Sequence, residues 1–239
     1  MKTRHRCVGS VLSLAMVMVV LAGSDVASSG QSPQTTTPDR GTIAPPAIEV
    51  IVPVGAGAPV ITDGTFSPGE WDDATRFSLG AGVQWYLKQY RDVVFIGLRG
   101  PARSSLGTTE ISLAVPGGPI TTLHVSAQLG EIVLPATGDA PPFRGGFTLD
   151  WYANEQRNDE PEAQRLMKEG KSRVEAFEAT VYPYEGIEFA IRRSKFPGTR
   201  WLMRVRTSGL LEGGEWATLV HPPASPERTT DGWQVLIFD

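Results

Sequence analysis

The 239-residue sequence contains one cysteine, Cys7, and that residue lies in a stretch that reads as a removable leader. The mature chain so predicted carries no thiol, which excludes disulfide staples, iron–sulfur ligation and a cysteine nucleophile. Histidine is nearly as scarce. Beyond the leader there are only His124 and His221. Neither has a second histidine at ligand spacing, which argues against a zinc centre. His124 would need a partner that the sequence does not reveal before it could serve as a general base. Positive charge is also in short supply, with 22 Lys and Arg against 26 Asp and Glu. Taking Lys2, Arg4, Arg6 and Asp25 away with the leader leaves 19 basic against 25 acidic residues. A surface of that sign, without a basic run, does not attract nucleic acid or anionic lipid.

Long apolar runs are missing after Ala22. The single run, Val8 to Ala22, is shorter than the roughly 20 residues that span a bilayer. With Lys2, Arg4 and Arg6 ahead of it and small residues after it, the stretch predicts a secretory signal over 1–29, cut between Gly23 and Ser29. Ser24 stands where a lipidated cysteine would be, so a lipid anchor is not expected. Residues 30–47 are rich in Ser, Thr and Pro and nearly free of apolar bulk, the composition of a disordered leader. Export to a secreted or periplasmic location is the expectation, with no membrane span in the mature chain. Residues 48–239 are then read as a single domain, long enough to bury a core without disulfides.

From Ile48 onward the chain alternates short β-type runs with Gly and Pro punctuation. Ile48–Val54 reads as a first strand. Val83, Trp85 and Leu87 alternate with more polar neighbours, which places Trp85 inward. Val93 to Leu98 is apolar on both faces, as a central strand covered on both sides would be. Ile111, Leu113 and Val115 follow, then Leu123 and Val125, Ile132 to Leu134, and a stripe of Phe177, Ala179 and Val181. Ile187, Phe189 and Ile191, then Trp201, Met203 and Val205, and finally Trp233 to Phe238, complete the series. One helix interrupts it, over 159–169, with Ala163, Leu166 and Met167 at helical spacing, Asp159 as N-cap and Gly170 as terminator. The fold class is all-β: an antiparallel sandwich, jelly-roll-like, with one short inserted helix.

Ile61-Thr62-Asp63-Gly64, then Glu70-Trp71 and Ala74, resembles the opening motif of the family 9 carbohydrate-binding-like domains within the DOMON-like β-sandwiches. Val83–Arg99 is similar to the strand, turn and apolar strand that follow it there. Glu188-Phe189-Ala190-Ile191 resembles a later strand of that family, with Arg192 where a proline is common. The resemblance spans about residues 48–239. It implies a β-sandwich that binds carbohydrate or polysaccharide without catalysis, as an accessory to polysaccharide-degrading systems. It gives Asp63, Gly64, Glu70 and Trp71 a structural role, with Trp71 as a plug of the sandwich end. DOMON-like relatives also include haem modules, for which Met167 and Met203 are the remaining methionines.

A sugar site needs flat rings to stack on pyranose faces and polar groups to pair with hydroxyls. Trp151-Tyr152 stands beside Asn154 and Glu155 in what reads as a loop before the helix, and Trp216 follows a Gly-containing turn. These five residues are the candidate ligand contacts. Packing of Trp151 beneath the helix is the structural alternative. Tyr86 and Tyr90 point away from Trp85, onto a face expected to be solvated. No residues are assigned a catalytic role, although a glycosidase-type carboxylate pair remains open among the many acids. No cofactor is expected. A structural calcium at Asp63 or Glu70 is the metal alternative, and an exported sandwich that binds protein rather than sugar is the functional one.

Overall fold

A computed structural model of the chain describes residues 49–53, 59–135, 144–145, 150–212 and 215–239. In chain order, the strands β1 (Glu49–Ile51), β2 (Thr75–Gly80), β3 (Val83–Tyr90), β4 (Val93–Arg99), β5 (Thr109–Ala114), β6 (Ile120–Val125), β7 (Leu129–Leu134), β8 (Arg144–Gly145) and β9 (Trp151–Ala153) come first. Two helices follow, α1 (Glu160–Lys168) and α2 (Arg173–Thr180), and then β10 (Gly186–Arg192), β11 (Arg200–Glu212), β12 (Glu215–His221) and β13 (Gln234–Ile237). The strands make two sheets. The eight-stranded one runs β1-β13-β11-β5-β6-β7-β8, with β12 also paired to β11, and the five-stranded one runs β2-β3-β4-β10-β9. Every pairing is antiparallel except that of β1 with β13. This is an all-β sandwich.

Alternation along each strand fills the space between the sheets. Trp85, Leu87, Ile96, Leu98, Ile187 and Phe189 from the smaller sheet meet Ile111, Leu113, Leu123, Met203 and Trp201 from the larger one. Met203 is therefore part of this core. β4 lies in the middle of its sheet, and Val94, Phe95, Ile96 and Leu98 are all buried. Its apolar character on both faces has a direct cause: each face is covered.

What covers the outer face is the segment before β2. Val60, Phe66, Trp71 and Ala74 pack on Tyr86 and Phe95, which point away from the inter-sheet core. Two expectations change here. Tyr86 is buried, because Trp71 and Phe66 lie over it with ring centroids 5.6 and 5.1 Å away. Trp71 seals the flat face of a sheet instead of plugging the sandwich end. Gly97 makes this approach possible, since a Cβ there would sit 2.9 Å from the Trp71 ring and 3.0 Å from that of Phe66.

The helix expected over 159–169 is present as α1, with Asp159 accepting from the Glu162 N–H at 3.2 Å. The stripe Phe177, Ala179 and Val181 is not a strand. It belongs to α2 and its C-terminal cap. The reason is local: Ser172 accepts from the Glu175 N–H while the Glu175 carboxylate accepts from the Ser172 N–H, a capping box that starts a helix. Both helices are inserted between β9 and β10, and the base of the insertion is tied where Asn158 bridges Val181 and the Tyr182 N–H donates to Arg157 O at 2.8 Å. A second correction concerns Trp151. The stretch read as a loop begins with strand β9, paired to β10 through Trp151 opposite Ile191 and Tyr152 opposite Ala190.

Candidate functional site

The candidate site grows from a buried carboxylate. Glu188 sits on β10 with no exposed surface. Its Oε2 accepts from the Asp63 N–H at 3.1 Å and the Gly64 N–H at 2.8 Å, and its Oε1 accepts from the Trp71 indole N–H at 2.9 Å. Burial pushes this carboxyl up to about 8, against the donors from Gly64 and Trp71, which favour the ionised form. Asp63 and Glu70 serve the same segment. Asp63 accepts from the Thr65 N–H at 2.7 Å, and Glu70 accepts from the Ile61 and Ser67 N–H groups at 2.5 and 3.2 Å. Lys88, also without exposed surface, donates to Glu70 O at 2.6 Å and to Asp73 at 2.9 Å. The acids at 63 and 70 thus hold backbone turns together.

Asn154 carries this order from β10 to the neighbouring loop. Its amide donates to Gly186 O at 3.1 Å, and its carbonyl accepts from the Glu188 N–H at 2.7 Å. Gly64 must be glycine beside it: its φ is 83°, and a Cβ would lie 2.7 Å from the Asn154 amide nitrogen. With Asp63 and Asn154 so placed, Tyr152, Glu155, Arg157 and Tyr182 come together around a cleft of about 230 Å³. Tyr182 is 55 % exposed at its edge. Glu155 and Arg157 are 3.8 Å apart on its wall. Tyr184 lies at its base, its hydroxyl donating to Leu106 O, and burial pushes that phenol up to about 12.

Of the five sequence-predicted contacts, this cleft collects Tyr152, Asn154 and Glu155. Trp151 points the other way. It is buried between the sheets, stacks on Phe189 at 6.3 Å and donates its indole N–H to Glu131 at 2.8 Å. No face of that ring is open to a ligand. The side chain of Trp216 lies outside the described residues. Sequence reasoning missed Arg157 and Tyr182. Arg157 follows Glu155 by two positions, but Tyr182 is 30 positions from Tyr152 and joins it only through the helical insertion.

A larger cleft of about 830 Å³ lies on the other side of Tyr184, between the loops at one end of the sandwich and α2. Leu106, Val174, Phe177 and Val181 give it an apolar wall, and Ser126, Gln156, Arg173 and Glu178 are among its polar members. It is the roomier of the two and also carries Glu178 and Arg173, whereas Tyr152 and Tyr182 line only the smaller cleft, beside the Glu155–Arg157 pair. Among the described residues no three His, Cys, Asp or Glu side chains gather as a metal would require, and no helix is long and apolar enough to cross a membrane.

These features define a class: an all-β sandwich with a shallow, tyrosine-edged polar cleft. No family of known sequences matches the chain, and no curated protein does. Among solved structures it is similar to a family 9 carbohydrate-binding module from Caldicellulosiruptor kristjanssonii in complex with cellotriose, with a TM-score of 0.41 and 11% identity, over 80% of this chain and 93% of that one. It is also similar to a Bacteroides uniformis protein assigned provisionally to carbohydrate binding, with a TM-score of 0.40 and 8% identity, over 80% of this chain and 99% of that one.

Proposed function

We propose that the chain is an exported carbohydrate-binding protein whose sugar contacts lie, without catalysis there, in the cleft between Tyr152 and Tyr182. The observation that carries this reading is the convergence of two tyrosines with Glu155 and Arg157 around a cavity of about 230 Å³. Tyrosine offers apolar ring area at low entropic cost, and the charged pair supplies an acceptor and a donor fork for vicinal hydroxyls. The cavity is smaller than the roughly 300–1,000 Å³ of drug-sized sites, which suits one or two sugar residues at the end or side of a glycan. Affinity in the millimolar to micromolar range, roughly −4 to −8 kcal/mol, follows from so shallow a site.

The test is affinity electrophoresis through gels cast with plant, algal and bacterial polysaccharides. Retardation by at least one glycan, relieved by Tyr182→Ala, is the expected result. Unretarded migration of the wild-type protein in every gel would sink the proposal.

A further inference from the structure

Neither the sugar cleft nor the fold motif uses His124. It lies on β6 with Glu110 directly opposite on β5. Its Nδ1 is 3.2 Å from Glu110 Oε1, and its Nε2 is 3.2 Å from Ser126 Oγ. Glu110 is further held through Arg206, whose Nη1 is 3.4 Å from Oε2. The side chains of His124 and Glu110 are only 20% and 18% exposed. The carboxylate can only accept, so Nδ1 carries a proton, and in the neutral imidazole it is Nε2 that presents its lone pair. The Ser126 hydroxyl has two acceptors in reach, this Nε2 at 3.2 Å and Gln128 O at 3.4 Å, while the Gln128 N–H donates to Oγ at 3.3 Å. The His124 hydrogen bond holds Glu110 below its ordinary carboxylate value against the opposing effect of burial, and Arg206 adds to it. Nucleophile, base and orienting carboxylate thus stand in the order and at the spacing that acyl-transfer enzymes use on unrelated folds.

Ser126 also lines the larger cleft, beside the apolar wall of Leu106 and Phe177. Val174, 65% exposed, stands at the same wall. This is space for a short hydrocarbon chain within reach of a hydroxyl nucleophile. It lies across Tyr184 from the sugar cleft and does not depend on the sugar reading.

We propose that Ser126, His124 and Glu110 form a hydrolytic centre for carboxylic esters whose acyl chain occupies the larger cleft. Ser126 Oγ attacks the ester carbonyl carbon and its proton passes to His124 Nε2. The carbon–oxygen bond to the alcohol breaks, and His124 returns the proton to the departing alkoxide. Water then attacks the acyl-serine, giving a proton to Nε2. Collapse releases the carboxylic acid and restores the Ser126 hydroxyl. One ester and one water become one acid and one alcohol. Glu110 is a positioning residue that fixes the tautomer and supports the imidazolium.

Folded wild-type protein is treated with a fluorophosphonate, and the labelled peptide is mapped by mass spectrometry; hydrolysis of p-nitrophenyl butyrate is followed in parallel. The expected result is a single adduct on Ser126, absent from heat-unfolded protein and from His124→Gln. Hydrolysis above the buffer rate should fall roughly 100-fold or more in Ser126→Ala, the scale of a lost nucleophile–base pair. Glu110→Gln should lower kcat with little change in KM, and Glu110→Asp should restore part of it. A thermal melt of each variant accompanies the rates, and the wild-type labelling does not rely on any variant folding. No adduct on the folded wild type, an adduct at another residue, or hydrolysis that survives Ser126→Ala would overturn the proposal.

Discussion

Glu188 and Trp71 are joined by a 2.9 Å hydrogen bond across 117 positions of sequence, the indole N–H donating to a carboxylate that has no exposed surface. The bond ties the covering segment to β10, the strand it seals. Trp71→Phe keeps most of the ring and removes the donor. Leaving a buried carboxyl group short of one partner costs about 1–3 kcal/mol. A denaturant titration should show the midpoint lowered with its slope unchanged; an unchanged midpoint would mean the bond contributes nothing.

The same carboxylate gives stability a pH dependence. Burial pushes Glu188 up to about 8 in the folded protein, from an ordinary value of 4.5. Below about 4.5, both folded and unfolded chains hold the proton and the group is neutral in the balance. Between about 4.5 and 8 the unfolded chain releases it and the folded chain retains it, so stability falls as pH rises, by up to about 1.4 kcal/mol per pH unit. Urea midpoints measured across that window should decline for the wild type and lose this component in Glu188→Gln. Parallel profiles for the two proteins would remove Glu188 as the cause.

Gly97→Ala should be severe for so small a change. The added methyl meets the Trp71 ring at 2.9 Å and the Phe66 ring at 3.0 Å, so the covering segment must lift or tilt. Overpacking of this kind costs about 1–3 kcal/mol. The check is a fall in melting temperature with a change in near-ultraviolet tryptophan signal. An unperturbed spectrum would show that the ring moves freely.

Trp151 and Tyr182 should separate stability from binding. Trp151→Phe removes the hydrogen bond to Glu131 and shrinks a buried ring, lowering the melting temperature while leaving glycan retardation in place. Tyr182→Ala trims a side chain that is 55 % exposed and should abolish retardation with little thermal effect. A variant pair showing the reverse pattern would relocate the site.

The sandwich was readable because burial between two sheets forces period-two alternation, plain in Val83-Trp85-Leu87 and Ile187-Phe189-Ile191. The doubly apolar β4 likewise announced a strand covered on both sides. α2 was misread because Phe177, Ala179 and Val181 mimic that alternation, while the stronger local signal, Ser172 with Glu175 three residues on, lay just upstream. The candidate site was legible only in its contiguous part. Tyr152, Asn154 and Glu155 stand within four positions of one another at β9 and just after it, whereas Tyr182 reaches them by tertiary folding. His124 and Ser126 alternate visibly on one face of the same run, but the partner carboxylate follows from strand register, Glu110 opposite His124, which no local pattern encodes.

The parallel pairing of β1 with β13 has a mechanical consequence. Glu49, Val50 and Ile51 run alongside Val235, Leu236 and Ile237 in the same direction, and the Val52 N–H extends the ladder to Ile237 O at 2.8 Å. Tension applied through the chain on either side of this pair pulls the two strands along their lengths in opposite directions. The ladder bonds lie across that direction, so they are loaded together in shear instead of being peeled apart one at a time. A stretching force drawn through the segments that flank β1 and β13 would thus meet its resistance in this ladder.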